Sequence, residues 1–437
     1  MSQHTGSEQA RPALSPSHAA PRTRHRALFL GYGRIGQAVA AAAARERHRL
    51  RAAGVDVHPV RALVRDLSKP RRGPAVPLVD RADDALDGDL DVVVEALGGI
   101  EPARTLVEAA LRAGVPVVSA NKTLVAAHGP ELRALAARHE TTFACDAAVL
   151  AGVPFLGALA RRPLVSAARR IEGILNGTSH AIVTALSTGA SFTEALADAI
   201  DRGYAEPDSS ADISGRDAAE KLTILLHLAG CEDVRPHHLP ALGLDALDDH
   251  DVSAAASVGG TIKPVAIASL EPDALGAWVG PAFVAGEHPF ARLSGVTNTL
   301  RLSSAAGTCT FSGPGAGPEA TAVTIVDDIV EAVSAGPARP IERSRSETAR
   351  AHDALRQPPP GSWFVRVAQA SHVEAADLAE FLAVHRVPAV RLETDRDRIV
   401  VLTAPAAWPA ISSVADALRA GGARVLVLPV LSGGRGE

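Results

Sequence analysis

The chain has 437 residues, 47% of them apolar, and its formal net charge at pH 7 is −5. This length suffices for two to three domains. A net negative charge does not indicate the basic surface that nucleic-acid-binding proteins typically have. No uninterrupted apolar run reaches the roughly 18 residues that a membrane span requires.

The chain begins with a polar segment that contains several Pro and Ser residues and lacks the apolar region of a signal peptide. We expect residues 1–25 to be a disordered tail.

The three cysteines, Cys145, Cys231 and Cys309, are far apart and form no CxxC pair. They indicate neither a disulfide framework nor a zinc site, so the cytoplasm is the expected compartment.

A GxGxxG motif follows a short predicted strand at 26–30 and precedes an alanine-rich helix, which is typical of a dinucleotide-binding turn. The residues predicted to bind the cofactor here are Gly31, Gly33, Arg34, Ile35 and Gly36. Glycines in this pattern permit the tight turn, the approach of the backbone to the pyrophosphate, and close helix–strand packing. The helix N-terminus then faces the phosphates. The alternative is a glycine turn between two packed elements.

The predicted second strand, at 60–65, ends at Arg65 with Lys69 close behind it. A carboxylate at this end binds the ribose diol of NAD, whereas an arginine suits the 2′-phosphate of NADP. Arg65 therefore favours NADP as the cofactor, while Asp56 and Asp66 leave NAD open.

Apolar strands are predicted at 91–97, 115–120 and 141–147, and the second of these runs directly into Asn121 and Lys122. Open α/β sheets bind ligands at the carboxyl ends of their parallel strands. Lys122 is therefore a candidate for binding cofactor or substrate, the alternative being a solvated loop lysine.

A predicted strand at 170–175 leads into Asn176, Gly177 and Thr178, and a helix follows. Asn176 and Thr178 have side chains that cap helices, which is their default role. The alternative is that they bind a small polar substrate.

The segment 203–222 joins a turn-rich stretch to a helix with an apolar stripe. Ser214 and Asp217 resemble a capping box, which predicts that the helix starts there. Asp217 and Lys221 are four residues apart, so they share one helix face. A surface ion pair is one interpretation. However, the chain contains only four lysines, and lysine, unlike arginine, can give up its proton, so we interpret Lys221 as a candidate for proton transfer.

The remainder of the chain divides at a proline-rich linker, 337–361. Before it, several short antiparallel strands are predicted, followed by a glycine-rich loop at 312–318 whose backbone N–H groups can reach the cofactor, and a helix at 319–335. After it, residues 362–432 follow the order βαββαβ of a ferredoxin-like unit. That unit holds few candidate catalytic groups, so regulation or association is its expected role.

The signature of the central segment, GYAE followed by D-x-x-G-x-D and a lysine four residues later, resembles that of the monofunctional homoserine dehydrogenases. The family's other motifs occur here in the same order: ALGG at 96–99, NK at 121–122, NGT at 176–178 and GxGAG at 313–317. The resemblance extends over about 26–335, and the C-terminal unit resembles an ACT domain. One departure is Ser209, where the family usually has a proline.

The resemblance and the predicted elements imply an α/β chain with a Rossmann domain, an α+β substrate and dimerisation domain, and a ferredoxin-like ACT domain. The expected parts are a tail at 1–25, a Rossmann domain at 26–146 completed by a helix at 316–336, a catalytic domain at 147–315, a linker at 337–361 and an ACT-like domain at 362–432. The activity implied is NAD(P)H-dependent interconversion of L-aspartate 4-semialdehyde and L-homoserine, a step of threonine and methionine biosynthesis.

The resemblance also assigns roles to individual residues. Lys221 is the implied proton donor, Asp217 the carboxylate that orients it, and Lys122 a second candidate donor. The implied substrate-binding residues are Glu206, Asp212, Asn176, Gly177 and Thr178. Further implied cofactor contacts are Gly98, Lys122 and Gly315. The implied sodium ligands are Asp146, Val149, Ala151 and Val153, although the family usually carries a glutamate where this chain has Asp146.

Threonine is the effector that the ACT resemblance implies, and a homodimer or homotetramer is the expected assembly.

Two other functions stay open. One is a different amino-acid oxidoreductase with a Rossmann domain, such as an aldehyde dehydrogenase that uses Cys145 as a thiol. The other is a non-catalytic NADP-sensing regulator, against which the Asp217–Lys221 pair argues.

Overall fold

The computed structural model describes residues 24–153, 155–156, 159, 168–334, 353–368, 374–395 and 398–433. Most of the predicted tail and linker therefore lie outside the described residues. Within the described ranges, no helix is both long enough and apolar enough to cross a membrane.

Six parallel strands form the first sheet, in the order β3-β2-β1-β4-β5-β6. Their bounds are β1 Arg24–Leu30, β2 Asp56–Leu63, β3 Leu78–Val79, β4 Val92–Glu95, β5 Val117–Ser119 and β6 Phe143–Ala144. This is the strand order of the doubly wound dinucleotide-binding fold. Residues Ala27–Leu30 of β1 and Val92–Val94 of β4 are apolar and buried, because helices cover both faces of the sheet.

The helices around this sheet include one from far along the chain. Their bounds are α1 Arg34–Arg45, α2 Arg47–Ala52, α3 Ala82–Leu86, α4 Ala103–Arg112, α5 Lys122–Arg138 and, much later, α11 Pro318–Ser334. Helix α11 packs against α1, and its Ile325 and Ile329 share one buried cluster with Val39 of α1 and Val94 of β4. The late helix thus contributes to the core of the first sheet.

The second region is built on antiparallel strands that follow in the order β11-β10-β7-β8-β9. Its strands are β7 Arg170–Ile174, β8 Gly260–Ser269, β9 Gly276–Ala285, β10 Thr297–Ser304 and β11 Gly307–Pro314. Its helices are α6 Gly177–Leu186, α7 Phe192–Asp201, α8 Ser210–Ile213, α9 Arg216–Leu228 and α10 Asp251–Ser257. The predicted antiparallel pairing is confirmed. Strands β8 to β11 are eight to ten residues long, whereas short strands were predicted.

Two predicted strands differ from the structure by more than two residues at one end. Strand β2 begins at Asp56 and not at 60. It contains Pro59, and its register with β1 shifts directly after that residue, since Ala27 pairs with Pro59 and Leu28 with Arg61. Strand β6 ends at Ala144, and residues Asp146–Ala148 form a 3₁₀ turn instead of extending it.

The C-terminal unit has four antiparallel strands in the order β15-β12-β14-β13, the ferredoxin-like arrangement. Its elements are β12 Trp363–Ala368, α12 Ala375–Val384, β13 Ala389–Asp395, β14 Arg398–Thr403, α13 Trp408–Ala420 and β15 Arg424–Leu431. Strand β15 also pairs in parallel with β9, so this sheet continues the sheet of the second region.

The sheet of the C-terminal unit is covered on both faces. Its own helices cover one face. On the other face, Phe364, Val400 and Leu428 share a buried cluster with Ile182 of α6 and Val252 of α10. The C-terminal unit is therefore an integral part of the second region's core.

Candidate active site

The glycine turn after β1 has the backbone geometry that its sequence predicts. Gly31 has φ +94°, and a Cβ there would lie 2.6 Å from the carbonyl oxygen of Ala96. A Cβ at Gly36 would lie 2.4 Å from the carbonyl oxygen of Gly31. At Gly33, in contrast, a Cβ would meet no atom within 4 Å. Open space beside the start of α1 leaves room for a phosphate group at the helix N-terminus, where Arg34 and Ile35 form the first turn.

The end of β2 carries the residues that bear on cofactor choice. Arg65 and Asp66 are both exposed just after the strand, and the Asp66 carboxylate accepts hydrogen bonds from the N–H and hydroxyl of Ser68, at 2.8 and 2.6 Å. Asp56 lies at the opposite end of β2. This location removes Asp56 from the candidates for the ribose.

Asp56 has a structural role instead. Arg47 and Arg51 donate to its carboxylate at 2.8 and 2.7 Å. The hydrogen bond from Arg47 is the largest of the effects that lower the pKa of Asp56 to about 2.

Asp217 lies between the two candidate lysines. Its Oδ2 is 2.9 Å from Nζ of Lys221, and its Oδ1 is 3.0 Å from Nζ of Lys122. The predicted Ser214–Asp217 capping box was wrong. Gly215, with φ +80°, precedes α9 without a side-chain cap, which leaves the Asp217 carboxylate free to bind the lysines.

The two lysines differ in exposure. Lys221 is 7% exposed, and it donates a second hydrogen bond, of 2.6 Å, to the carbonyl oxygen of Leu175 at the end of β7. The Lys122 side chain, at the first position of α5, is 40% exposed. Because Lys122 follows β5 and the glycine turn follows the nearby parallel strand β1, both lie at the carboxyl edge of the first sheet. Asp217 therefore brings α9 and Lys221 to that edge.

The charges of this centre shift the pKa values of its members. Burial alone would raise the pKa of Asp217, but the positive charges of Lys221 and Lys122 outweigh it and hold that pKa well below its usual range. Burial alone would lower the pKa of Lys122, but Asp217, Glu220 and Asp212 outweigh it and raise that pKa. Asp217 is therefore a carboxylate and Lys122 an ammonium at neutral pH.

Asn176 caps a helix, as its default role predicts, and its side chain also contacts two carboxylates of this centre. Its Nδ2 donates to Oδ2 of Asp217 at 2.8 Å and to Oδ1 of Asp212 at 2.7 Å. Its Oδ1 accepts from the N–H of Ser179 and caps α6. Burial raises the pKa of Asp212.

The other predicted substrate residues surround this group. Gly177 is the first residue of α6. The hydroxyl of Thr178 donates to the carbonyl oxygen of Tyr204 at 2.6 Å, which ties α6 to the loop that precedes α8. Glu206 lies on that loop and is exposed.

A buried carboxylate at the end of β4 organises the loop around Gly98, and the sequence analysis missed it. Glu95 accepts from the hydroxyl of Ser119, the N–H of Leu97 and the side chain of Asn121, at 2.6, 2.8 and 3.3 Å. Burial raises its pKa. Asn121 also donates to the carbonyl oxygen of Gly99 and caps α5. A glutamate in the apolar run VVVEAL was the signal that could have revealed it.

Gly315 packs against a side chain of the second region. A Cβ at Gly315 would lie 2.0 Å from Nδ2 of Asn298. That Nδ2 donates to the carbonyl oxygen of Leu175, which Lys221 also uses. The glycine-rich loop therefore lies beside the lysine centre.

Two of the four predicted sodium ligands, Asp146 and Ala151, are hydrogen-bonded to α11. The N–H of Asp146 donates to Oδ2 of Asp328 at 3.0 Å, and the carbonyl oxygen of Ala151 accepts from the hydroxyl of Thr324 at 2.7 Å. Val149 is buried, and the N–H of Val153 donates to the carbonyl oxygen of Leu150. In the described part of the chain, no three His, Cys, Asp or Glu side chains are grouped so that they could hold a metal ion. The sodium ion stays a prediction.

Cys145 does not have the properties of a catalytic thiol. It is 7% exposed, and burial raises its pKa to about 12. Because the thiolate is the reactive form, this environment argues against an oxidoreductase that uses Cys145.

Comparisons with known proteins agree with these motifs. The model of the homoserine dehydrogenase NAD-binding domain matches residues 31–146, and the homoserine dehydrogenase model matches residues 154–330. Homoserine dehydrogenases of Lactococcus lactis and Corynebacterium glutamicum are 37% and 39% identical over 60% and 62% of this chain, and each match spans 62% of the relative's length. The Bacillus subtilis homoserine dehydrogenase is 32% identical over 69% of this chain and 71% of its own length.

Solved structures extend the similarity over nearly the whole chain. A homoserine dehydrogenase from Thiobacillus denitrificans is 29% identical with a TM-score of 0.81, over 95% of this chain and 100% of that one. A hyperthermophilic archaeal homoserine dehydrogenase in complex with NADPH shares the fold, at 24% identity and a TM-score of 0.59, over 71% of this chain and 97% of that one. The chain belongs to the homoserine dehydrogenase family.

Proposed function

We propose that the protein reduces L-aspartate 4-semialdehyde to L-homoserine with a nicotinamide cofactor, as a step of threonine and methionine biosynthesis. The observation that carries this proposal is the pair of lysines that share Asp217 at the carboxyl edge of the first sheet. Ligands of open α/β sheets bind at this edge.

The chain's residues fit a dinucleotide. The open space at Gly33 and the first turn of α1 suit the pyrophosphate, and the exposed Arg65 suits a 2′-phosphate. The archaeal relative in complex with NADPH supports the same choice. When bound, the cofactor supplies the hydride. The preference for NADP, and the contacts of Gly98 and Gly315, remain part of the proposal.

The lysine centre supplies the proton. As hydride reaches the aldehyde carbon, negative charge grows on the oxygen and has to be met by a proton donor. An ammonium group has three N–H donors. In the described part of the chain, Lys221 uses two of them, on Asp217 and on the carbonyl oxygen of Leu175. We assign the third to the substrate oxygen, with Lys122 as the second candidate donor.

The acidic groups next to this centre suit the substrate's ammonium group. Asp212 is held by Asn176, and Glu206 is exposed on the neighbouring loop. Gly177 and Thr178, at the start of α6, are assigned to the polar end of the substrate.

One assay tests the proposal against its rivals. The oxidation of NADPH and of NADH is followed separately, with and without aspartate semialdehyde. We expect oxidation that requires the aldehyde, runs faster with NADPH, and survives treatment with iodoacetamide. Loss of activity after alkylation would favour a thiol enzyme, and cofactor binding without turnover would favour an NADP-sensing regulator.

Substitution of Gly33 by alanine tests the cofactor site. We expect the Gly33→Ala protein to keep the parent's unfolding midpoint, because the added Cβ meets no protein atom within 4 Å. We expect its affinity for NADPH to fall at least tenfold, since the methyl group fills the space assigned to the pyrophosphate. Calorimetric titration measures the affinity. Gly31→Ala is the contrasting variant and should lose stability, because its Cβ would lie 2.6 Å from a backbone oxygen. Unchanged NADPH affinity in Gly33→Ala would contradict the assignment.

The C-terminal unit is proposed to be an ACT-like domain that binds threonine, a proposal supported by its ferredoxin-like strand order. Adding threonine to the assay tests this, and inhibition is expected. Deletion of the unit is a poor test, because its sheet covers apolar residues of α6 and α10. The protein is proposed to act in a reducing compartment such as the cytoplasm, because its three cysteines are far apart in the sequence and form no CxxC pair. The homodimer or homotetramer stays a prediction.

A further inference from the structure

Glu220 is a buried carboxylate near Lys122, and the reaction as proposed gives it no role. It directly precedes Lys221 on α9 and is only 8% exposed. Its two carboxylate oxygens accept from the hydroxyl of Thr123, at 3.1 and 3.2 Å. Thr123 directly follows Lys122 in the first turn of α5. The Glu220 side chain thus connects a helix of the second region to the N-terminus of the helix that carries Lys122.

We propose that Glu220 is a positioning residue for Lys122. Its carboxylate anchors the first turn of α5 on α9 and, together with Asp217, holds the Lys122 ammonium group at the mouth of the site. The anchor and the charge act together, since a buried carboxylate needs both hydrogen-bond donors and a compensating positive charge. The kinetic consequence of this role rests on the proposed function, but the positioning itself does not.

The charges around the pair support this arrangement. The acidic groups that act on Lys122 are Asp217 and Glu220 from α9 and Asp212 from α8. The charged groups that act on Glu220 are Lys122, Asp217 and Arg216. Burial raises the pKa of Glu220, and the Lys122 charge and the Thr123 hydroxyl oppose that effect. Removing the Glu220 charge should therefore make Lys122 easier to deprotonate.

The scarcity of lysine makes this measurable without turnover. The chain contains Lys69, Lys122, Lys221 and Lys263 as its only lysines. Protein labelled with [ε-13C]lysine therefore gives four side-chain signals, and the signal of Lys122 is assigned as the one missing from Lys122→Arg. The midpoint of its pH titration is compared among the parent, Glu220→Gln and Thr123→Val.

We expect the Lys122 midpoint to fall in Glu220→Gln, and to fall less in Thr123→Val, which removes the hydrogen bond and keeps the charge. The alkaline limb of the pH profile of kcat/KM should move to lower pH in Glu220→Gln. Its kcat/KM should fall about tenfold, the scale of one charge-assisted hydrogen bond. The matched control is Glu131→Gln, on the same helix as Lys122, where an exposed carboxylate pairs with Arg235 at 2.8 Å. It should change neither the midpoint nor the rate.

If Glu220→Gln folds and the midpoint of the Lys122 titration is unchanged, the proposal is overturned, even if activity falls. A residue with only a structural role would lower activity without moving that midpoint. If Glu220→Gln does not fold, Thr123→Val decides, and an unchanged midpoint there overturns the anchoring role. The titration needs no cofactor and no substrate, so it tests the positioning role separately from the proposed function. If the parent protein does not reduce aspartate semialdehyde, the proposed function is rejected, and the titration still decides whether Glu220 positions Lys122.

Discussion

Replacement of Lys221 by alanine is expected to lower kcat by a factor of about 10² to 10⁴, the usual contribution of a positioned general acid. Lys221 is the buried member of the lysine pair, and two acceptors fix its amine, the Asp217 carboxylate at 2.9 Å and the carbonyl oxygen of Leu175 at 2.6 Å. A group that is held so firmly loses little entropy when it meets the developing alkoxide.

The measurement is kcat for aspartate semialdehyde at saturating NADPH, together with the Kd of NADPH, which should stay within a few-fold of the parent value. Lys221→Arg is the matched control because it keeps the positive charge beside Asp217 but cannot give up a proton at neutral pH. It should fold like the parent and remain nearly inactive. Alanine activity within a few-fold of the parent would reject the assignment of Lys221 as the donor.

Lys122→Ala then separates the two candidates. Lys122 is 40% exposed and contacts the same carboxylate, so its loss should weaken substrate or cofactor binding as well as the rate. A loss of kcat in Lys122→Ala that exceeds the loss in Lys221→Ala would transfer the donor role to Lys122.

Local patterns in the sequence predicted most elements because hydrophobic periodicity and turn residues act over short distances. The glycine turn at Gly31 and the βαββαβ order of the C-terminal unit are examples. The predicted start of β2 at 60 was wrong. The strand begins at Asp56 and contains Pro59, and its register with β1 shifts directly after that proline.

The residues of the candidate site could be predicted from the sequence, but the contacts between their side chains could not. Asp217 looked like a helix cap because Ser214 lies three residues before it, yet its carboxylate binds Lys122, which is 95 residues earlier in the chain. Glu95 and Glu220 escaped attention for the same reason. Their partners, Ser119 and Thr123, come from other segments, and no spacing rule relates such pairs.

The second large effect concerns the junction between the C-terminal unit and the second region. Arg366 of β12 makes two hydrogen bonds, of 2.8 and 2.9 Å, to the carboxylate of Asp251 at the start of α10. The two side chains are 4% and 0% exposed. Asp248 lies 3.5 Å from the same guanidinium group and also pairs with Arg398. Val252, next to Asp251, and Phe364, two residues before Arg366, belong to the apolar cluster that joins the two parts.

Asp251→Ala is expected to lower the free energy of unfolding by about 3–5 kcal/mol, because it leaves Arg366 as a buried charge without its main partner. That is a large fraction of the roughly 5–15 kcal/mol that stabilises a typical protein. Urea unfolding followed by circular dichroism measures it. The matched control is Asp416→Ala, which breaks an exposed pair with Arg419 in the same unit and should cost under about 1 kcal/mol.

The double variant Asp251→Leu with Arg366→Met shows whether the pair stabilises the junction or only has to be complete. A buried ion pair can often be replaced by apolar residues of similar volume at little cost, so the double variant should recover most of the stability lost in Asp251→Ala. If it is instead as unstable as the single variant, the ion pair itself holds the two parts together. A loss below about 1 kcal/mol in Asp251→Ala would show that Asp248 alone compensates Arg366.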